Sequence, residues 1–389
     1  MTLLEVRTPE HAREFLEFPV RLYRDDPNYI RPLDKDVAGV FDPATNKTYR
    51  EGAEAIRWLL TDDAGRTIGK VAAFINPKTA RTYEQPTGGM GFFDCIDDQA
   101  AANVLFDACR DWLAARGMEA MDGPINFGER DKWWGLLVEH FSEPIYGANY
   151  NFPYYQRLFE TYGFGVFFKQ YTYFRPLADK LTSAYQAKAE AILRDPAYRF
   201  EHIRKNRLDQ YAEDFRTIYN AAWVKHEGVR EMSREQARKL MHTMRPVIDE
   251  KIIWFSYYGG EPVGFFIGLP ELNQWFRHVN GRMDLVGKLK VAWQQFRGTN
   301  KTMYGVAFGI TPAHQGKGVE SAFVVAAART VQDRRKVQYT DFLMNWIGDF
   351  NPKMMAVATQ IGGRILKTHH TYRYLFDRTK PFRRMESIA

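Results

Sequence analysis

Apolar residues recur along this chain with two periods, and the switches between them lay out its elements. Alternation at 3–6 predicts a short strand, and Thr8-Pro9-Glu10 starts a helix over 11–24 with Phe15, Phe18, Leu22 and Tyr23 on its apolar side. The stretch 29–49, rich in Pro, Asp and Asn, reads as loop. Strands at 56–60 and 67–75 flank the hairpin signal Asp62-Asp63-Ala64-Gly65, and Gly88-Gly89 precedes a strand at 90–96. Asp97-Asp98 then caps a helix through residue 115, with Val104, Leu105, Ala108, Trp112 and Leu113 as its stripe and Gly117 as its stop. A polar loop over 121–134 and a last strand at 166–174 close the first part.

The second part repeats much of that order. Residues 176–196, charged and Ala-rich, predict a joining helix. A strand at 200–204 and helices at 209–223 and 234–248 follow, the latter capped by Ser233 with Glu235-Gln236 behind it. Strands at 252–258 and 263–269 surround Gly259-Gly260-Glu261-Pro262. A strand at 303–310, a glycine turn, a helix at 319–331, a strand at 339–346, a helix from Asn351-Pro352 and a strand at 364–376 complete the chain.

The turn carries the clearest chemistry. Residues 306–321 read V-A-F-G-I-T-P-A-H-Q-G-K-G-V-E-S. A strand, a glycine turn and a helix start present backbone N–H groups and the positive end of a helix dipole to an anion. The nucleoside-triphosphate loop is excluded, because Gly318 rather than Ser or Thr follows Lys317; the dinucleotide fingerprint fails because Ser321 stands where its third Gly belongs.

Gln315-Gly316-Lys317-Gly318 after such a strand resembles the pyrophosphate loop of the GNAT (Gcn5-related N-acetyltransferase) superfamily, Gln/Arg-x-x-Gly-x-Gly/Ala. Glu320 departs from it where Gly or Ala is usual. The resemblance implies that acyl-coenzyme A is the co-substrate, without a metal, held by Phe308, Gly309, Ile310, Gln315, Gly316, Lys317, Gly318, Val319 and Ser321, with Asn345 and Asn351 as further polar ligands. In the first part, 158–164 (L-F-E-T-Y-G-F) resembles the ending of a GNAT domain, and Gly163 and Gly362 are each followed at the same distance by Thr-Tyr. The loop after the 90–96 strand holds Asp97-Asp98 instead of glycines, and that charge opposes a diphosphate. The resemblance therefore implies an α+β chain of two GNAT-like mixed sheets flanked by helices, arisen by tandem duplication. Residues 1–176 form the acceptor-side domain, 177–197 the linker helix and 198–389 the coenzyme-binding domain, a plan that N-myristoyltransferases and Fem-type transferases share.

The usual catalytic positions of that family lack their residues: the 303–310 strand has no acid, and Ala358 and Thr359 stand where a Tyr follows the helix-starting Asn. Glu129 or Asp131 of the polar loop, and His369, His370 and Tyr372 of the final strand, offer substitutes; Glu129, His370 and Tyr372 are taken as the candidates.

Composition narrows the partners. The 389 residues are 45% hydrophobic, enough for sizeable cores, and a net charge of +7 suits an anionic partner such as coenzyme A. The charge is mixed through the sequence, so nucleic acid is not expected as a partner. Cys95 and Cys109 form no metal or disulfide pattern. The first residues lack a signal-peptide pattern and no long uncharged apolar run occurs, so the expected location is the cytoplasm, peripheral to the inner face of the membrane if the insertion 272–300 touches lipid. That insertion holds a helical pattern over 284–297, with Leu285, Leu289, Trp293 and Phe296 on one face and Lys288, Lys290 and Arg297 around it. It reads either as a helix packed on the domain or as a basic, aromatic element on a membrane surface, with the basic tail 378–384 assisting. The reading reached is an acyl-CoA-dependent N-acyltransferase whose acceptor is a small-molecule or lipid amine, ceramide synthase-like in the lipid case. A non-catalytic coenzyme A-binding protein and a Fem-like aminoacyl-tRNA-dependent transferase are the alternatives.

Overall fold

A single mixed sheet runs through the molecule, and its order is the same read from either edge. The computed structural model describes residues 1–223, 231–333 and 335–387. The strands are β1 (Thr2–Glu5), β2 (Glu54–Thr61), β3 (Thr67–Ile75), β4 (Thr87–Cys95), β5 (Ala120–Gly123), β6 (Leu136–Glu139), β7 (Gly165–Pro176), β8 (Tyr198–His202), β9 (Ile253–Tyr258), β10 (Glu261–Pro270), β11 (Thr302–Ile310), β12 (Asp341–Gly348) and β13 (Arg364–Leu375). Their spatial order is β1-β2-β3-β4-β5-β13-β7-β12-β11-β10-β9-β8, with β6 added on β13. Each side thus has an antiparallel run of four strands, one parallel pair (β4·β5 and β11·β12) and a closing strand.

The closing strands are exchanged. β7, from the first half of the sequence, pairs with β12; β13, from the end, pairs with β5. β7 and β13 then pair antiparallel with each other at the centre of the sheet. The expected pair of mixed sheets is therefore joined into one, because each half completes its sheet with the other half's last strand. Some of the polar residues on these central strands bond across the seam, although among the described residues Gln170 Nε2 and Arg175 Nε of β7 are buried without a partner. Arg373 of β13 donates to both oxygens of Asp122 on β5 (2.6 and 2.8 Å) and lies 3.6 Å over the Phe167 ring of β7. Thr371 donates to Gln170 at 3.0 Å.

Helices cover both halves of the sheet. The helix Gln99–Ala114 starts where expected, with the Asp98 carboxylate accepting from Ala100 N–H at 2.8 Å. It packs with Tyr154–Tyr162 over a core that includes Phe93, Phe106, Phe159 and, from β13, Tyr372. The helices Leu208–Trp223 and Arg234–Met244 cover the other side around Tyr211, Phe255 and Phe265, and Ser233 and Gln236 form the reciprocal cap expected of them. The linker expected at 176–196 is the helix Ser183–Arg194, which lies against Val319–Val331 through Tyr185, Ala189, Ala322 and Val325.

Three features differ from the sequence reading. The loop at 29–49 contains a helix, Asp34–Val40, held by burial of Val37 and Val40 against Phe74 and Phe127. β6, with only Leu136, Leu137 and Val138 as an apolar run, is too short to register as a strand in the sequence, and it pairs through Leu136↔His370 and Leu137↔His369. The insertion after β10 forms two helices, Asn273–Phe276 and Leu285–Phe296. Trp275, Phe276 and Val279 are buried with Leu33, yet the second helix turns its apolar face outward.

Candidate active site

β11 and β12 pair in parallel only from Thr302↔Asp341 to Gly305↔Met344. Beyond that point they separate. The cause is visible on β11: its register with β10 slips between Gly268↔Gly305 and Ile267↔Ala307, leaving Val306 as an extra residue, 44% exposed. A bulge of this kind bends its strand and ends regular pairing, which opens a cleft in a sheet that is otherwise closed.

The glycine turn lies at the open end of that cleft. Gln315 donates to the Ile310 carbonyl at 2.7 Å and folds the turn back on the strand end. Gly316 and Gly318 have φ of 71° and 91°, the left-handed region that favours glycine. A Cβ on Gly316 would meet nothing within 4 Å, whereas one on Gly318 would lie 3.0 Å from the Lys188 carbonyl of the linker helix. Gly318 starts the helix Val319–Val331 without a side-chain cap, and the side chain of Lys317 is exposed. Glu320 now has a place: its carboxylate accepts the Gly316 N–H at 3.1 Å. The turn thus holds a carboxylate of its own where the resemblance calls for a diphosphate. Val319 is fully buried, and Ser321 is buried beside the Tyr185 hydroxyl. Next to the turn, His314 Nδ1 lies 2.6 Å from Tyr198 Oη, and burial followed by the charge of Lys317 holds its imidazole below the usual range.

The remaining expected ligands fall on the cleft walls or behind them. Phe308 is half-buried, edge-on to Phe323 at 5.7 Å, while Gly309 and Ile310 are buried in the ladder with β10. Asn345 sits one residue past the last parallel pair and accepts from Thr172 Oγ1 of β7 at 2.7 Å. Asn351 caps the helix Pro352–Gln360 by accepting from Met354 N–H at 3.1 Å.

The three candidate catalytic residues do not meet at this cleft. Glu129 is exposed on its loop, its carbonyl accepting from Asn126. His370 and Tyr372 lie on β13, with β7 and β12 between them and β11. Tyr372 is fully buried in the first-half core, donates to Glu160 at 2.9 Å, and has its hydroxyl 3.4 Å from His370 Nδ1. Burial pushes the His370 imidazole down to about 4, with the charge of Lys169 assisting.

Tyr304 does lie here, and Glu271 acts on it electrostatically, as Glu271 and Lys367 act on each other. Tyr304, on the last paired stretch of β11, has its hydroxyl pushed up to about 12 by burial, against a hydrogen bond to Asn345 and with the charges of Asp131 and Glu271 adding to the rise. Asp131 belongs to the polar loop of the first half, and that loop reaches β12: Trp346 Nε1 donates to the Arg130 carbonyl at 3.0 Å. Glu271, just after β10, is buried and accepts N–H groups from Tyr146 (2.7 Å), Asn273 and Gln274 (both 3.1 Å). Burial outweighs those bonds and raises its carboxyl to about 7. Lys367 of β13, lowered to about 8 by burial, donates to the carbonyls of Ser142 (2.7 Å) and Glu143 (2.5 Å). One sequence signal pointed this way: β13 reads R-I-L-K-T-H-H-T-Y, a strand with Lys, Thr and His where a buried face needs apolar residues. Glu271 and Tyr304 carried no such mark.

The equivalent place in the first half is closed. β4 and β5 pair only from Thr87↔Ala120 to Gly89↔Asp122 and then separate, but Ile125 fills the opening. Its N–H donates to the Met90 carbonyl at 2.8 Å, and a Cβ on Gly91 would fall 1.8 Å from the Ile125 carbonyl oxygen. Beside Pro124 lies a partly open pocket of about 100 Å³ lined by Tyr23, Tyr155 and the Lys70–Asp94 ion pair (3.2 Å). Among the described residues no cluster of His, Cys, Asp or Glu is arranged to hold a metal.

No protein-family profile matches the sequence. Over 378 residues, 96% of this chain and 97% of the other, it is 26% identical to a Caulobacter vibrioides protein named bacterial ceramide synthase. Among solved structures it is similar to a tandem GNAT protein from the clavulanic acid biosynthesis pathway, with TM-score 0.54 and 10% identity, covering 97% of this chain and 99% of that one. It is also similar to the GCN5-related glucosamine N-acetyltransferase region of a fungal multi-domain β-N-acetylglucosaminidase, with TM-score 0.55 and 12% identity, covering 96% of this chain and 38% of that larger one.

Proposed function

We propose that this chain, an acyltransferase relative with the GNAT fold in tandem, moves an acyl group from a coenzyme A thioester to the amine of a long-chain or lipid acceptor. The observation that carries the reading is the parting of β11 and β12 after Gly305 and Met344, directly before a turn with two left-handed glycines and an uncapped helix start. In this reading Gln315–Gly318, Val319 and Ser321 hold the diphosphate once Glu320 leaves Gly316; Phe308–Ile310 and Asn345 line the path of the pantetheine; and Asn351, as a cap, positions the helix beside it. The thioester supplies an activated carbonyl carbon.

What the chain must supply is proton management. An alkylamine with a pKa of ~10.4 is only about one part in 2,500 neutral at pH 7, a deficit of roughly 4.6 kcal/mol. We assign the proton from the incoming amine to Asp131, whose charge acts on the Tyr304 hydroxyl, and the proton for the departing sulfur to Tyr304, which burial keeps protonated at neutral pH. The new C–N bond then forms as the C–S bond breaks, and one proton passes from nitrogen to sulfur overall. Glu129, His370 and Tyr372 take no part in this assignment. A lipid acceptor is supported by the name of the Caulobacter relative, a ceramide synthase.

The hydrogen bond from Gly316 to Glu320 favours a second reading, a coenzyme A-binding protein without turnover. Thiol release from acetyl- and palmitoyl-coenzyme A with a panel of amines, sphinganine-like bases included, separates the two. Amine-dependent release supports transfer. Binding without release under any amine leaves the second reading, and absence of both binding and release removes the first and the second together.

A further inference from the structure

The helix Leu285–Phe296 is built unlike the others in this molecule. Leu285, Val286, Leu289, Trp293 and Phe296 are 73, 59, 62, 56 and 82% exposed. At about 100° per residue these positions form one continuous arc, roughly a quarter to a third of the helix circumference. Trp293 and Phe296 stack on each other, with centroids 5.9 Å apart, and on no other ring among the described residues. Lys288 borders the arc on one side, and Lys290 and Arg297 border it on the other; all three are exposed and form no ion pair among the described residues. Asp284, the acid nearest in sequence, accepts the Gly287 N–H at 2.8 Å as the helix cap.

The opposite face is fixed to the body of the protein. Gly287 is buried where a Cβ would fall 2.2 Å from the Arg282 carbonyl oxygen, and Val291 packs with Trp275, Phe276, Val279 and Leu33. The segment leading into the helix is tied to the first half: Asn273 Nδ2 donates to the Pro144 carbonyl (2.9 Å), Arg277 pairs with Glu143 (2.8 Å), and Asp34 N–H donates to the Gly281 carbonyl (2.9 Å). The helix is therefore mounted rigidly with its apolar arc facing out.

We propose that this arc is a membrane-docking surface, in which the five apolar side chains enter the acyl boundary of an anionic bilayer and Lys288, Lys290 and Arg297 meet its headgroup phosphates. Two physical arguments select a bilayer over a second copy of the chain. A helix of 12 residues is about 18 Å long, and its five outward apolar side chains expose on the order of 600 Å², short of the ~800 Å² per partner of a stable interface even if all of it were covered. In a two-fold pair the cations on both borders would also face their own copies. An interfacial helix requires the pattern seen here, with apolar and aromatic side chains central and Lys and Arg at the rim. The inference rests on this helix alone and stands whether or not the cleft binds coenzyme A.

The test is co-sedimentation of the full chain with vesicles of phosphatidylcholine, with and without about 30% phosphatidylglycerol, at low and moderate salt. The unmodified chain should bind the anionic vesicles at least tenfold more tightly than the neutral ones. Leu289→Ser/Trp293→Ser should lose at least tenfold on both while melting at an unchanged temperature. Lys288→Glu/Lys290→Glu/Arg297→Glu should lose binding only on anionic vesicles. A chain that stays in the supernatant with both vesicles overturns the proposal, as does unaltered sedimentation of the Ser variant. A dimer in sedimentation equilibrium that the Ser variant converts to monomer also overturns it and assigns the arc to a second copy. Thiol release measured without vesicles on a water-soluble amine reports the chemistry separately.

Discussion

Replacing Glu320 with Ala should tighten coenzyme A binding, and the structure gives the size of the effect. The Glu320 carboxylate accepts the Gly316 N–H at 3.1 Å, inside the turn proposed to take the diphosphate. Binding must first release that bond, for which a partly exposed site gives a net value of ~0.5–1 kcal/mol. It must also place two diphosphate charges near a carboxylate. At a separation on the order of 5 Å in a near-aqueous dielectric, each pair opposes binding by ~0.8 kcal/mol before screening. The sum is roughly 2 kcal/mol, or about 30-fold in Kd, and salt should shrink it. Glu320→Gln keeps an acceptor for Gly316 and should recover only the charge-dependent part. The helix loses a favourable acid from its first turn in either variant, so a small fall in stability, ~0.3–1 kcal/mol, should accompany the gain in affinity. Isothermal titration with acetyl- and palmitoyl-coenzyme A at two salt concentrations measures all of this. Unchanged or weaker binding by Glu320→Ala would refute the placement of the diphosphate in this turn.

Other substitutions probe the frame and the chemistry. Gly316→Ala and Gly318→Ala both force a side chain into left-handed backbone, at ~1–2 kcal/mol each, but only the second presses on the Lys188 carbonyl, so it should lower Tm further; equal shifts would contradict the contact with the linker helix. Arg373→Met leaves Asp122 buried without its partner and should cost ~3–5 kcal/mol in denaturant unfolding, most of it recovered in Arg373→Met/Asp122→Leu. Burial holds the Glu271 carboxyl at about 7, above its unfolded value of ~4.3, so the folded state binds the extra proton and stability falls as pH rises between those values, by roughly 4 kcal/mol in total. The Tm of the unmodified chain relative to Glu271→Gln should therefore drop from pH 5 to pH 7.5, whereas parallel curves would contradict the burial argument. Tyr304→Phe should slow amine-dependent thiol release about 10²-fold with little change in donor affinity, and full activity would dismiss Tyr304 as the proton donor.

The local pattern of the chain disclosed the parts whose contacts are near in sequence. The helix after the glycine turn spans Val319–Val331, as its apolar pattern and preceding Gly318 indicate, and Asp98 and Ser233 cap the helices they precede. The exchange of β7 and β13 was not legible, because either closing strand offers the same alternating, mixed-polarity pattern to either neighbour; only the three-dimensional sheet decides which it meets. That exchange carries Tyr372 into the first-half core, where its hydroxyl answers Glu160. Asn351 illustrates a different limit: an Asn before Pro is a capping signal and a polar-ligand signal at once, and the side chain bonds Met354 N–H. Glu271 stands just after a strand among apolar neighbours, so nothing local distinguishes it from a solvated charge, whereas Lys367 opens the polar run of β13; the perturbed ionisation of both follows from burial between the halves. The outward arc of the insertion helix could be listed from its spacing, but whether it faced the protein or the solvent required the structure.

The central claim is that the donor lies between β11 and β12 with its diphosphate on the glycine turn. A crystal structure with a non-hydrolysable thioether analogue of palmitoyl-coenzyme A tests it most directly. The account predicts diphosphate density on the N–H groups of residues 316–319 with Glu320 turned away, and pantetheine density running past Asn345 toward Val306. Density at the β4–β5 opening or in the pocket beside Lys70 and Asp94, with Glu320 still bonded to Gly316, would contradict it.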